Sequence, residues 1–258
     1  MALTRGFVIA LASVACGHHR PGPDAAKPFI NVAEGLDIHM RSQVPTNACL
    51  LVEGFDAKTS NVVEALQRAS VRLTAGDSVA MHVVGTARKD GHSQLLLATV
   101  RDLQPFTKYT LEVEGLPPAL DHLWRDATIG RFGRDALTFS TSGRRDSLPP
   151  RWKSQPNVTE ARVYLHGPKT RAWTAMMMSP QVDEDTATLA FLVTLTGRTG
   201  TNSWFVPVDS RPEPGRSLWF WFGVDEYPKG ERVLATVTAI DVACNRQPAP
   251  SVVPFTAP

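Results

Sequence analysis

Apolar and polar residues alternate with period two along most of the chain beyond residue 28, the pattern of strands with one buried face. Leu36, Ile38 and Met40 alternate with polar neighbours, 49–55 (CLLVEGF) forms a compact apolar strand, and 233–240 (VLATVTAI) alternates cleanly. Further strands are predicted at 71–73, 79–84, 95–100, 109–113, 137–141, 162–165, 173–178, 188–195, 204–208, 218–224 and 252–255. One helix is predicted at 61–70, capped by Ser60 or Asn61. The pattern therefore predicts an all-β chain.

The stretch 103–113 (LQPFTKYTLEV) combines a turn, a tyrosine and the start of a strand. Pro105 has a fixed φ that suits a turn. Tyr109 then begins the alternating strand, with Leu103 placed to pack over its ring. A tyrosine at this position buries its ring while its hydroxyl bonds upstream backbone, the tyrosine corner of β-sandwiches.

The order of these elements resembles the SbsA-type bacterial immunoglobulin-like module over residues 30–142. The resemblance is carried by 51–56, 71–73, 103–113 and 139–141 (FST), and is interrupted by an insertion at 117–135. A weaker resemblance follows, because 235–245 is similar to the closing hairpin of many such modules, with Cys244 where glycine is usual. The resemblance implies two tandem immunoglobulin-like β-sandwich domains, at 28–145 and 146–258, joined by a linker at 142–150.

The first 27 residues have the composition of an export segment. Residues 1–15 form a signal peptide, in which Arg5 precedes a short apolar run and 13–15 (SVA) precede a cleavage point. Cys16 follows directly, which resembles the lipobox of bacterial lipoproteins, although Ser13 stands where leucine is usual. Gly17 in the next position permits the outer membrane by that resemblance. The alternative is plain secretion. Residues 16–27 form a flexible tether.

Composition restricts the partners. The chain of 258 residues has 27 Lys and Arg against 25 Asp and Glu. Loss of Arg5 with the signal leaves a net charge of +1, which gives no electrostatic reason to expect nucleic acid. The basic cluster around Arg144 and Arg145 is interpreted as a solvated hinge. The chain is expected to be exported to the outer membrane, cell surface or periplasm, and held to the membrane by lipid alone.

Two of the three cysteines fall near the junction of the predicted domains. In a sandwich, the loop before the second strand lies at the end where the chain leaves the domain. The loop before the last strand lies at the end where the chain enters. Cys49 and Cys244 occupy these two positions and are therefore expected to face each other. An oxidising compartment would allow a bridge; otherwise both remain thiols.

Motifs of catalytic chemistry are absent from the sequence. No G-x-S-x-G, H-E-x-x-H, P-loop or G-x-G-x-x-G occurs. A hydrolase would need a triad assembled from scattered residues such as His122 and Asp126. We therefore expect no catalytic residues, no cofactor and no enzyme.

Two weak metal-binding groups remain. A free amine on Cys16 with His18 and His19 would offer nitrogen ligands to copper. The acidic positions would offer oxygen ligands to calcium. These are Asp183, Asp185, Asp225 and Asp241.

The aromatic run 218–222 (LWFWF) has large side chains on both faces of a strand. Either both faces are covered, or one is exposed for contact with carbohydrate or protein. The sequence thus predicts a non-catalytic envelope lipoprotein with a structural or adhesive role, whose partner is an envelope protein or polysaccharide. The alternative is a periplasmic protein that binds a metal or a small ligand, copper or calcium.

Overall fold

The computed structural model describes residues 29–33, 36–39, 43–89, 91–125, 137–165, 172–178, 181–182, 188–208, 218–223 and 226–258. Within them the chain forms strands and two short helices. The elements of the first half are β1 (Phe29–Ala33), β2 (Leu36–His39), β3 (Gln43–Val44), β4 (Cys49–Gly54), α1 (Ala57–Leu66), β5 (Ser70–Thr74), β6 (Ser78–Lys89), β7 (His92–Thr99), β8 (Lys108–Glu114), α2 (Pro118–Arg125) and β9 (Thr138–Thr141). Those of the second half are β10 (Trp152–Ser154), β11 (Val158–Leu165), β12 (Ala172–Met178), β13 (Gln181–Val182), β14 (Thr188–Gly197), β15 (Gly200–Pro207), β16 (Leu218–Gly223), β17 (Arg232–Asp241) and β18 (Ser251–Thr256).

The first domain is a sandwich whose two layers share strand β6. One layer has the order β1-β2-β4-β7-β6, and the other has the order β6-β5-β8-β9-β3. The start of β6 pairs with β5, and the rest of β6 pairs with β7. Strand β3 pairs in parallel with β9, whereas the other pairs are antiparallel. This order, with β4 beside β7 and β5 beside β8, is that of an immunoglobulin-like sandwich.

The tyrosine corner stands at the entry to β8. Tyr109 and Leu103 are both buried in the core of the first domain. The backbone N–H of Gln104 donates a hydrogen bond of 3.0 Å to the Tyr109 hydroxyl. Pro105 lies on the exposed side of this turn. The turn and the first residue of the strand's buried face are thus fixed to each other.

Helix α1 begins four residues before the predicted start. Asp56, not Ser60 or Asn61, is the N-cap, and one carboxylate oxygen accepts 2.8 Å hydrogen bonds from the N–H groups of Lys58 and Thr59. These hydrogen bonds lower the pKa of Asp56, that from Thr59 most. The predicted helix boundary is therefore wrong, because an ionised aspartate satisfies two free N–H groups at the helix end. The insertion predicted at 117–135 contains α2, and its residues 126–135 lie outside the described residues.

The second domain stacks a four-stranded sheet on a three-stranded one. Their orders are β15-β14-β17-β18 and β11-β12-β16, with β10 and β13 paired separately. Its core includes Phe191, Val237 and Phe255. Tyr227 is buried just before β17 and donates a 3.0 Å hydrogen bond to the carbonyl of Leu195 on β14. Tyr227 thus anchors the entry to β17 to a neighbouring strand.

The prediction of an all-β chain with immunoglobulin-like sandwiches is confirmed. Both helices are short, with 10 residues in α1 and 8 in α2. Neither they nor any other helix of the described ranges is long and apolar enough to cross a membrane.

Candidate functional site at the junction of the domains

Strand β4 is buried on both of its faces. Leu50 and Val52 point into the core of the first domain. Cys49 and Leu51, on the opposite face, enter a second apolar cluster. This junction cluster combines residues of both domains: Cys49, Leu51, Ala87 and Leu96 from the first, and Leu189, Ala190, Phe205, Ile240 and Val242 from the second. The first domain thus packs one sheet face directly against the second.

A disulfide bond joins Cys49 to Cys244 across this junction, with 5.3 Å between their Cα atoms. The Cys49 N–H also donates a 2.9 Å hydrogen bond to the carbonyl of Val242. Cys244 lies in a tight turn and has a φ of 61°, the left-handed conformation that favours glycine. Cys244 is therefore held in a backbone conformation that residues with a side chain seldom adopt.

The turn that carries Cys244 is organised by Asp241, which is fully buried. One carboxylate oxygen accepts 2.8 Å hydrogen bonds from the N–H groups of Ala243 and Asn245. The other accepts one of 2.9 Å from the Asn245 amide. Burial raises the pKa of Asp241 to about 6, since these donors offset only part of the desolvation and Asp146 adds repulsion. Both oxygens are thus engaged in holding the turn.

A side-chain amide connects the two domains at a second place. Gln94 on β7 accepts a 2.7 Å hydrogen bond from the N–H of Phe205 and donates one of 2.6 Å to the carbonyl of Phe205. It also donates to the carboxylate of Glu53 on the neighbouring strand. Gln94 and Glu53 are almost wholly buried. Strand β15 is the edge strand of its sheet, and the Gln94 amide therefore bonds to the outer side of its backbone at Phe205, as a neighbouring strand would.

The connecting segment is bound along its length. Asn47 donates a 2.6 Å hydrogen bond to the Asp146 carbonyl and accepts one of 2.9 Å from the Asp146 N–H. The Thr46 N–H donates to the carbonyl of Arg144, and Arg145 pairs with Asp102. The Arg144 and Arg145 side chains are exposed, as predicted, but the prediction of a hinge is wrong, because the backbone of this segment is fixed to the first domain.

Most residues predicted for metal binding or lipidation lie outside the described residues. These are Cys16, His18, His19, Asp183, Asp185 and Asp225. Asp241 is described, and donors of its own turn surround it. The described ranges contain no group of three or more His, Cys, Asp and Glu side chains arranged for a metal ion. The metal-binding hypothesis stays a prediction.

The two other functional predictions are also only partly visible. His122 lies on α2, while Asp126 falls outside the described residues, so the hypothesis of a triad stays untested. The aromatic run is on β16, where Trp221 is opposite Ala175 of β12. The side chains of this strand are outside the description.

Comparisons with known proteins assign this chain to no family. No protein-family model and no curated protein matches the chain. The chicken CNTN1 FN1–FN3 domains match 90% of this chain at 12% identity and a TM-score of 0.29, and the chain spans 66% of that structure. A type I pullulanase from Bacillus subtilis, solved with maltose, matches 88% of this chain at 9% identity and a TM-score of 0.22, and the chain spans 24% of it. The strand order carries the assignment of the fold.

Sequence reasoning missed the polar residues of the junction. Gln94 stands before a run of three leucines and Glu53 ends another apolar run. A polar residue inside two adjoining apolar strands is the signal that could have found them. It indicates a buried hydrogen bond to a partner outside the sheet.

Proposed function

We propose that the chain is an exported, lipid-anchored protein of the bacterial envelope, with a structural or adhesive role and no catalytic centre. Immunoglobulin-like sandwiches commonly serve as structural or binding modules. The partner is an envelope protein or polysaccharide, with no role for nucleic acid. The protein is held to the membrane through Cys16 alone.

The disulfide between Cys49 and Cys244 carries this proposal. Disulfides persist in oxidising compartments, which include the periplasm and the cell surface. This one joins two domains that already share an apolar cluster. Its position suits a rigid extracellular module rather than a redox catalyst, because Cys49 is completely buried.

The electrostatics support a non-catalytic role. A carboxyl group with a raised pKa is a signature of acid–base catalysis when it faces a cleft. Asp241 has such a pKa, but its oxygens accept hydrogen bonds from the turn that carries Cys244. Its perturbation therefore follows from a structural position.

Mass spectrometry of the mature N-terminus tests the proposal. The full chain is produced in a bacterial host, and the N-terminal peptide is compared with that of Cys16→Ser. We expect a chain that begins at Cys16 with lipid attached, and a loss of membrane association in the variant. Retention of residues 1–15, or an unmodified Cys16 in a freely secreted chain, would contradict the lipid anchor.

A further inference from the structure

Three aromatic rings lie in a row across the boundary between the domains. The ring of Phe55, just after β4, is 6.0 Å from that of His92, at an interplanar angle of 79°. The ring of His92 is 6.2 Å from that of Trp204 on β15 of the second domain. Phe55 is 38% exposed, and the other two are half-buried. The row therefore belongs partly to the surface.

Polar side chains of both domains contact one another beside these rings. The Lys89 Nζ atom is 3.4 Å from Glu226 Oε1, and the Asn202 amide donates a 2.9 Å hydrogen bond to Glu226 Oε2. Lys89 is directly opposite His92 in the β6–β7 pair, so the two side chains share a face. Asn202 and Trp204 are two residues apart on β15 and also share a face.

Both sets of contacts, the aromatic and the polar, join the first domain to the second. We call the group the seam surface; it comprises Phe55, Lys89, His92, Asn202, Trp204 and Glu226. The side chains of Lys89 and Glu226 are 13% and 21% exposed. Partial burial of polar and aromatic groups at a domain boundary is typical of small-ligand sites. The nearby amide pair of Gln94 holds both halves in place.

The charge of the seam surface selects the ligand class. Lys89 and Glu226 neutralise each other, and Asn202 is uncharged, so the polar groups attract neither an anion nor a cation. Aromatic rings offer apolar faces, while the amide, ammonium and carboxylate groups can bond hydroxyls. A neutral sugar has an apolar ring face bordered by hydroxyls, which matches this combination.

We propose that the seam surface binds consecutive neutral sugar units of an envelope polysaccharide, one stacked on Phe55 and another on Trp204, with hydroxyl contacts from Asn202 and Lys89. This assignment rests on the proposed function for its envelope source. The binding itself is a property of the two joined domains and is independent of the lipid anchor.

The test uses the full chain carrying Cys16→Ser, purified without lipid. Maltoheptaose, cellohexaose and chitohexaose are each titrated by calorimetry, and tryptophan fluorescence is followed in parallel. We expect at least one to bind, and Phe55→Ala and Lys89→Met each to weaken that binding at least tenfold. Phe106→Ala is the matched control, because Phe106 is 83% exposed and lies on another loop.

Folding is checked separately in every variant by circular dichroism and by the mass of the intact disulfide-bonded chain. Phe55 lies outside the core clusters, so we expect Phe55→Ala to keep the fold. Absence of binding to all three sugars overturns the inference, and so does binding that Phe55→Ala and Phe106→Ala reduce equally. Capture of an envelope protein by the seam surface without sugar binding also overturns it. An unlipidated native chain would contradict the envelope anchor and leave these titrations to be judged alone.

Discussion

The disulfide makes a mechanical prediction that depends on its position in the chain. Cys49 opens the second predicted strand of the first domain, and Cys244 lies near the end of the second. The bond encloses most of both cores within one covalent loop with a sequence separation of 195, and leaves β1–β3 and β18 outside it. A force between the mature N-terminus and the C-terminus therefore detaches β1–β3 and β18 first and then passes through the disulfide, so the rest of both sandwiches carries no load.

The hidden length follows from the geometry of an extended chain. A sequence separation of 195 corresponds to about 640–700 Å at 3.3–3.6 Å per residue. The folded Cα–Cα distance is 5.3 Å, which is negligible beside that. Handles at residue 28 and Pro258 leave only the 21 residues to Cys49 and the 14 after Cys244 free to extend. Those segments supply about 120 Å.

Single-molecule pulling measures the difference directly. All chains carry Cys16→Ser, so that no third thiol interferes, and Cys49→Ser/Cys244→Ser is compared with the parent. We expect total extensions that differ by about 640–700 Å. Reduction of the parent should increase its total extension to that of the variant, and the reductant should leave the extension of the variant unchanged.

Equal extensions of the parent and the serine variant under oxidising conditions would refute the reasoning. The same pair can be unfolded in denaturant as a second measurement. The chain-entropy argument gives a loop of this length about 5 kcal/mol of stabilisation. A loss well below that would mean that the unfolded reduced chain retains structure.

Three further predictions concern individual residues. Asp241→Asn should remove a pH dependence of the free energy of unfolding. Because the pKa of Asp241 is raised, the folded state binds the proton more tightly, so stability is highest below about pH 4 and declines by up to about 3 kcal/mol as pH rises to about 6. Urea midpoints across pH 4–7 measure this decline, and parallel curves for parent and variant would count against it. Gln94→Leu should lower the free energy of unfolding by about 2–4 kcal/mol, because it leaves the buried Phe205 N–H and carbonyl without a hydrogen-bond partner. Thermal unfolding measures the loss, with the exposed Gln67→Leu as the control, and equal losses in the two variants would disprove the role of Gln94 at the junction. Gly54→Ala should destabilise the protein by about 1–3 kcal/mol or more, since the added Cβ would lie 2.6 Å from backbone atoms of Thr59 and Ser60. An unchanged denaturation midpoint would show that α1 can shift away from β4.

The tyrosine corner could be predicted because its causes are local. Leu103, Pro105 and Tyr109 lie within seven residues, and period two places the ring on the buried face of β8. The strands of the second domain were also predictable, since alternation survives wherever one face is solvated. The start of α1 was not, because Asp56, Ser60 and Asn61 are all good caps. Strand β4 ends at Gly54, two residues before Asp56, and the helix uses Asp56 as its N-cap.

The junction required information that no local pattern contains. The apolar run of β4 predicts burial, but only the second domain explains why both faces are buried. The same applies to Gln94, whose partner Phe205 is 111 residues away. Asp241 bonds to residues within four positions of itself, which is a local feature, whereas its raised pKa depends on burial and on Asp146, 95 positions earlier in the chain.

Three of the connections across the junction act in different ways. The disulfide fixes one point, which limits separation but still allows rotation about that point. The Gln94 amide fixes the edge of β15 at a second point, and the apolar cluster fills the space between them. Two fixed points and a packed cluster define an orientation without the covalent bond. We therefore expect Cys49→Ser/Cys244→Ser to keep sugar affinity within about threefold where it remains folded, whereas Gln94→Leu lowers it more. Calorimetric titration of both variants decides, and the opposite order would mean that the disulfide sets the geometry of the seam surface.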